Sequence, residues 1–168
     1  CGTEVNVFTF GIAIGDSLTQ GTFDYMENGV RRYIVAANRA YPAVFTKKTG
    51  IPLVNKGEGG LSSVAWFNAY KNVILSVYDF AIVAFGVNDY TQGIATNDSK
   101  TAIESIIAKL KRENNGIKVF LCTMMPRWNI STLGKAYNEM VRDVCANNDS
   151  VYLLDMDLYS AMKTDNSC

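Results

Sequence analysis

No histidine occurs among the 168 residues, which removes the commonest general base and the commonest nitrogen ligand for a metal ion. Charge of one sign is missing as well, since 16 Lys+Arg balance 16 Asp+Glu. A net charge of zero lays down no broad footprint for a phosphate backbone, and the basic residues are scattered apart from Arg31-Arg32 and Lys47-Lys48. Nucleic acid is therefore not expected as a partner. Long apolar runs are absent: the longest, such as residues 80–85, fall far short of the roughly 20 needed to cross a bilayer, so no membrane span is expected.

Cysteine is sparse, with four residues and no C-x-x-C. Without histidine a zinc site would need a thiolate cluster, and that spacing does not occur, so no metal or other cofactor is expected. Cys122 falls inside an apolar run and Cys145 on the apolar face of a helical pattern, and both read as buried free thiols. Cys1 and Cys168 are the two ends of the sequence, and nothing in it fixes the separation that a disulfide demands. A sequence that opens on Cys rather than Met leaves any leader unseen, and the compartment stays open.

What is present describes a globular chain. Hydrophobic residues make up 48% and charged residues 19%, enough apolar surface for one domain with its own core. Apolar runs of strand length lie at residues 5–14, 51–54, 80–85, 117–125 and 151–154. They are nearly continuous rather than alternating, as in strands covered on both faces. Helical patterns separate them. Ile103, Ile106, Ile107 and Leu110 form one stripe, with Thr101 and Glu104 placed as a capping box. Leu133, Ala136, Tyr137, Met140, Val141 and Val144 form another, with Ser131 or Thr132 as N-cap. Weaker helical segments cover residues 42–48 and 63–71, the first with Pro42 in its opening turn. Strands alternating with helices give a three-layer α/β sandwich, flavodoxin-like, around a central five-stranded parallel sheet.

In such a sheet, ligands bind beyond the carboxyl ends of the strands. The first three tails read Gly15-Asp16-Ser17, then Asn55-Lys56-Gly57-Glu58-Gly59-Gly60, then Gly86-Val87-Asn88-Asp89. A Ser17 hydroxyl exposed at a strand-to-helix turn attacks a carbonyl if a base takes its proton. The Gly60 amide and the Asn88 side-chain NH2 are the donor types that an oxyanion hole uses. Taken singly, Gly-Asp-Ser also reads as a helix cap, and a lone glycine or asparagine after a strand as a turn residue.

Together and in this order, the three tails resemble the blocks of the GDSL-type SGNH hydrolases, a family of esterases, lipases and acetylesterases. Gly15-Asp16-Ser17-Leu18 matches the first block, residues 55–60 are similar to the second, and Gly86-Val87-Asn88-Asp89 matches the Gly-x-Asn-Asp third. Arg39-Ala40-Tyr41-Pro42, Met125-Pro126 and Tyr137-Asn138 are weaker similarities in the expected order. The resemblance implies Ser17 as nucleophile, an oxyanion hole from the Ser17 amide, Gly60 and Asn88, and Asp16 bracing the turn. It also implies a single SGNH-hydrolase-like domain over residues 1–168. The reaction implied is removal of a small acyl group, such as acetyl, from a carbohydrate or other small-molecule ester through an acyl-enzyme.

One family feature is missing. The fifth block, Asp-x-x-His, supplies the base and its orienting acid, and no histidine exists here to fill it. Asp165-Asn166-Ser167-Cys168 has the block's spacing but follows the fifth strand too closely, so the expectation is a sequence that stops short of the block. Asp155 and Asp157 read as cap and turn residues at that strand's end. The alternative is an SGNH-like domain without catalysis, serving as a carbohydrate-binding or structural module. Two further readings are weaker. Gly57-Glu58-Gly59-Gly60 is half of a dinucleotide fingerprint whose third glycine position holds Ser62, while Asp24, Glu27 and Asp89 read as solvated loop acids rather than a carboxylate cluster. Residues 25–33, just after the nucleophile, read as a substrate-facing loop.

Overall fold

The computed structural model describes residues 7–125 and 132–159; Cys1, Pro126, Ser131 and Asp165-Asn166-Ser167-Cys168 lie outside the described residues. The apolar runs become β1 (Gly11–Gly15), β4 (Leu53–Gly57), β5 (Phe80–Ala84), β6 (Lys118–Cys122) and β7 (Val151–Leu154). They pair in parallel in the order β4-β1-β5-β6-β7, the flavodoxin-like order, with the first strand in the interior.

Successive side chains point to opposite faces of the sheet. Ile12, Ile14, Ala81, Val83, Val119 and Leu121 enter the larger core under α3 (Ser63–Tyr70), α5 (Thr96–Glu113) and α6 (Thr132–Ala146). Ala13, Phe80, Ile82 and Phe120 face the other side, where Tyr41 and Phe45 of α2 (Tyr41–Thr49) cover them. Both faces are apolar, which is why the strands read as unbroken hydrophobic runs.

Several boundaries differ from the sequence expectation. β1 starts only at Gly11, because the Asp79 carboxylate takes the Thr9 N–H (2.7 Å) and hydroxyl (2.6 Å) and turns the approach out of the sheet. β4 continues past the expected end at Val54, since it is an edge strand and tolerates Asn55 and Lys56. The helix expected to begin at a Thr101–Glu104 box begins instead at Thr96, and the Thr101 hydroxyl donates back to the Asn97 carbonyl at 2.9 Å within the helix.

The largest departure follows α1 (Ser17–Gln20). The segment expected as a loop is an antiparallel hairpin of β2 (Thr22–Glu27) and β3 (Val30–Val35). Asn28 and Gly29 at its tip have φ of +51° and +76°, the two positive values of a type I′ turn. The Asn-Gly pair was the signal for it. Both hairpin faces are exposed, with Asp24 paired to Arg31 and Glu27 to Arg32.

Cys122 is buried at the end of β6 and Cys145 is half-buried, and both are free, as expected. Burial pushes the Cys122 thiol up to about 12 and the Cys145 thiol up to about 11, so neither is a thiolate at neutral pH. Among the described residues no helix is long and apolar enough to cross a membrane.

Two of the helices above the larger core, α3 and α5, meet at one acid. Asp89, in α4 (Val87–Thr91), is 1% exposed. Its carboxylate accepts from the Ser63 N–H (3.1 Å), the Ser63 hydroxyl (2.5 Å) and the Ser99 hydroxyl (2.7 Å), binding the first turns of α3 and α5 together. The expectation of a solvated Asp89 is thus overturned: tertiary contacts, not water, satisfy it.

Two measurements test this. Removing a buried acceptor strands its donors, so Asp89→Ala should lower the unfolding free energy by about 3 kcal/mol in urea titration; a loss below about 1 kcal/mol would mean that the serines find other partners. Iodoacetamide at pH 8 should leave Cys122 unmodified in the native protein, read by peptide mass, whereas alkylation at the rate of an exposed thiol would mean that the end of β6 opens.

Candidate active site

β1 lies between β4 and β5, so the tails of these three strands emerge side by side on one edge of the sheet. That edge includes the boundary where strand order reverses, the usual place for a ligand in this class of sheet. The three sequence motifs sit on these tails: Ser17 after β1, Gly60 after β4 and Asn88 after β5.

Asp16 is the N-cap of α1, and its carboxylate accepts the Leu18 N–H at 2.9 Å while staying 2% exposed. The cap belongs to Asp16, so Ser17 is not the capping residue; it opens the helix, half-buried, with its amide in the first turn where helical N–H groups have no intrahelical acceptor. The Asp16 bond fixes the turn on which Ser17 rides.

Gly57, at the end of β4, carries no side chain because α1 lies directly on it: a Cβ there would fall 2.3 Å from the Gln20 backbone nitrogen. Asn55 completes this junction, donating to the Thr19 carbonyl at 2.8 Å and accepting the Gly57 N–H at 2.9 Å. Beyond the junction the chain turns through Gly60, whose φ of +82° is the left-handed region that other residues avoid. A Cβ on the neighbouring Gly59 would lie 3.8 Å from the Ser17 Cβ, which puts this loop against the serine.

Asn88 donates one Nδ2 hydrogen to the Leu61 carbonyl at 2.9 Å. A carboxamide nitrogen has two hydrogens, so this bond sets the orientation of the side chain and leaves a second donor. Asn88 is held from behind by Asp89 and its two serines, a support that sequence reading missed because the acid resembled any loop acid. Gln20 and Gln92 were missed as well; each bonds the Gly59-Gly60 backbone.

A cavity of about 460 Å³ adjoins the serine turn on the α2 face of the sheet, lined by Asp16, Leu18, Phe23, Tyr41, Cys122 and Met156 among others. Its lining is mainly apolar and includes none of Ser17, Gly60 and Asn88, though it holds Asp16, Leu18 and Val87, their neighbours in the chain. Burial raises the Tyr41 phenol above its ordinary range, and its hydroxyl lies 3.3 Å from that of Thr19. The β2–β3 hairpin reaches this cavity through Phe23.

The other candidate acids do not assemble. Asp24 and Glu27 pair with arginines out on the hairpin, and Asp89 is buried among helices. Among the described residues no three His, Cys, Asp or Glu side chains gather to hold a metal ion. Asp155 accepts from Thr123 (3.0 Å) and from Arg142 (2.9 and 3.1 Å), and the Arg142 hydrogen bonds hold its carboxyl below the usual range. Asp157 accepts from the same guanidinium at 2.9 Å, so both acids fasten the segment after β7 to α6, a tertiary role that a turn and cap reading does not include.

Comparisons with known proteins bear on the fold and the family. Solved structures share the fold: a protein of the G-D-S-L family from Desulfitobacterium hafniense DCB-2 superposes with a TM-score of 0.71 at 21% identity, over 88% of this chain and 77% of that one. The SGNH-hydrolase family esterase AlinE4 gives 0.68 at 21% identity, over 96% and 86%. A family two carbohydrate esterase from Clostridium thermocellum, in complex with cellohexaose, gives 0.72 at 15% identity, over 92% and 56%. Curated protein sequences give no match. The family model for the GDSL-like lipase/acylhydrolase family matches residues 13–167, nearly the whole chain. This chain therefore belongs to the GDSL-like lipase/acylhydrolase family, a family of carboxylic ester hydrolases.

Proposed function

We propose that this protein, acting as one SGNH-like domain, removes a small acyl group such as acetyl from a carbohydrate or other small ester, through an acyl-enzyme on Ser17. The Ser17 Oγ attacks the carbonyl carbon as its proton passes to a base. The oxyanion then accepts from the Ser17 N–H, the Gly60 N–H and the second Nδ2 hydrogen of Asn88. Collapse of the tetrahedral intermediate breaks the bond to the alcohol, which takes a proton and leaves, and water releases the acid from Ser17 in a second round through the same donors.

The observation that carries this reading is the placement of Ser17, Gly60 and Asn88 on three adjacent strand tails, joined by the Asn55, Asn88 and glycine contacts. The carbohydrate part is supported by the esterase neighbour with bound cellohexaose and by the exposed Tyr25, on the same hairpin face as the cavity-lining Phe23, since exposed aromatic rings suit the apolar faces of sugars. The absence of histidine is the observation that favours the second reading, a binding module. It also dictates the experiment, because the proton of Ser17 must pass to a base other than a histidine of this stretch.

Imidazole added to the solution supplies that base. The 168-residue chain should hydrolyse p-nitrophenyl acetate faintly by itself and faster with imidazole, the gain growing as pH rises through neutrality and imidazole loses its proton. Ser17→Ala should reduce the rate to that of imidazole alone. No Ser17-dependent rate at any imidazole concentration would favour the binding module.

Asn88→Ala should lower the Ser17-dependent rate by roughly 10²–10³, the usual cost of one oxyanion donor; a fall below about threefold would make Asn88 structural only. Acetate release from an acetylated oligosaccharide, with little activity on a long-chain ester, is the result expected of the carbohydrate reading, and the reverse preference would overturn it.

A further inference from the structure

The loop that carries the Gly60 amide has little to hold it by packing. Gly59 and Gly60 are both exposed, and a Cβ built on Gly60 would meet nothing within 4 Å. Two successive glycines have the greatest backbone freedom of any pair. An oxyanion donor, in contrast, works only when it is fixed before charge develops. Whatever fixes this amide has to be polar, and two glutamines stand in the right places.

The Gly60 N–H belongs to the peptide joining residues 59 and 60, and both flanking peptides are pinned. On one side the Gly59 N–H donates to the Gln20 Oε1 at 3.1 Å, an oxygen that also takes the Thr22 hydroxyl at 3.2 Å. On the other, the Gln92 Nε2 donates to the Gly60 carbonyl at 2.8 Å. The chemistry of the partners assigns each carboxamide: an N–H requires the oxygen of Gln20, and a carbonyl requires the nitrogen of Gln92.

The positions of the two glutamines matter as much as their bonds. Gln20 ends the one-turn helix that Ser17 begins, so it references the loop to the nucleophile. Gln92 is the C-cap of the helix that carries Asn88, and its own N–H donates to the Asn88 carbonyl at 2.9 Å, so it references the loop to the other donor. We infer that Gln20 and Gln92 are positioning residues that hold the Gly60 N–H in line with Ser17 and Asn88. Their effect on rate rests on the Ser17 esterase reading, while the clamp itself does not.

The test uses Gln20→Met and Gln92→Met, which keep side-chain length and remove the polar contact. Hydrogen exchange followed by NMR should speed up at Gly59 in Gln20→Met by roughly tenfold, the ratio expected for one lost hydrogen bond, and the 15N order parameter of the Gly60 amide should fall in Gln92→Met, which frees the Gly60 carbonyl. Gln20→Glu keeps the acceptor and should leave Gly59 exchange slow. In the imidazole-supported assay each Met variant should lose about tenfold in kcat with KM within about twofold, since a displaced donor affects the transition state more than substrate binding. Melting temperatures should stay near the parent value.

Unchanged Gly59 exchange in Gln20→Met together with an unchanged Gly60 order parameter in Gln92→Met would overturn the clamp. A loop loosened by either measurement with unchanged kcat would overturn the positioning role. If the parent chain shows no Ser17-dependent rate, the esterase reading fails and the effect on rate fails with it, while the NMR data still decide whether the glutamines hold the loop.

Discussion

The buried carboxylate of Asp89 is the contact on which the active edge of this protein depends. An acid 1% exposed is costly unless its oxygens are fully engaged, and here they are met by a backbone N–H and two hydroxyls from the first turns of two helices. Each helix presents the positive end of its dipole to the carboxylate, which adds to the attraction. Because Asp89 cannot move without stranding these donors, Asn88 beside it has a fixed backbone, and the direction of its side chain follows from one further bond to Leu61.

A second constraint acts from the sheet. The β1 strand presents Ile12 and Ile14 to one core and Ala13 to the other, so it is locked from both faces, and its tail leaves the sheet at a defined point. The Asp16 cap turns the chain there within one residue. Gly57 then lets α1 rest on the neighbouring strand, and Asn55 ties the end of that helix down. Serine and loop are thus referenced to the same rigid edge, which is what a site built for acyl transfer needs if its donors are to act without reorganisation.

The remaining polar investments serve the scaffold. Arg142 joins α6 to the end of β7 through Asp155 and Asp157, and Lys109 is paired with Glu113 and the Val73 carbonyl. Cys122 and Cys145 have thiols raised by burial and stay protonated at neutral pH. The hairpin is the exception. It stands outside the core with several apolar side chains in water, stabilised by its turn and by surface ion pairs that contribute little, and it reaches the cavity only at Phe23.

The sequence by itself determined the five strands, since burial on both faces demands continuous apolar runs, and it determined the motifs on their tails, since tight turns and exposed donors demand small and amide-bearing residues. It did not reveal the one-turn helices, because four or five residues contain too little periodicity to read. The hairpin was legible only in Asn28-Gly29, as strands exposed on both faces carry no apolar alternation. A local pattern misled at Thr101, where a capping box sits in the middle of a helix whose real first turn has no side-chain cap. Only the tertiary structure decided the fate of Asp89, Gln20 and Gln92. Whether an acid is solvated or buried, and whether a glutamine meets water or a backbone peptide some 30 to 40 residues away, depends on which surfaces the fold brings together, and no local pattern of residues encodes that.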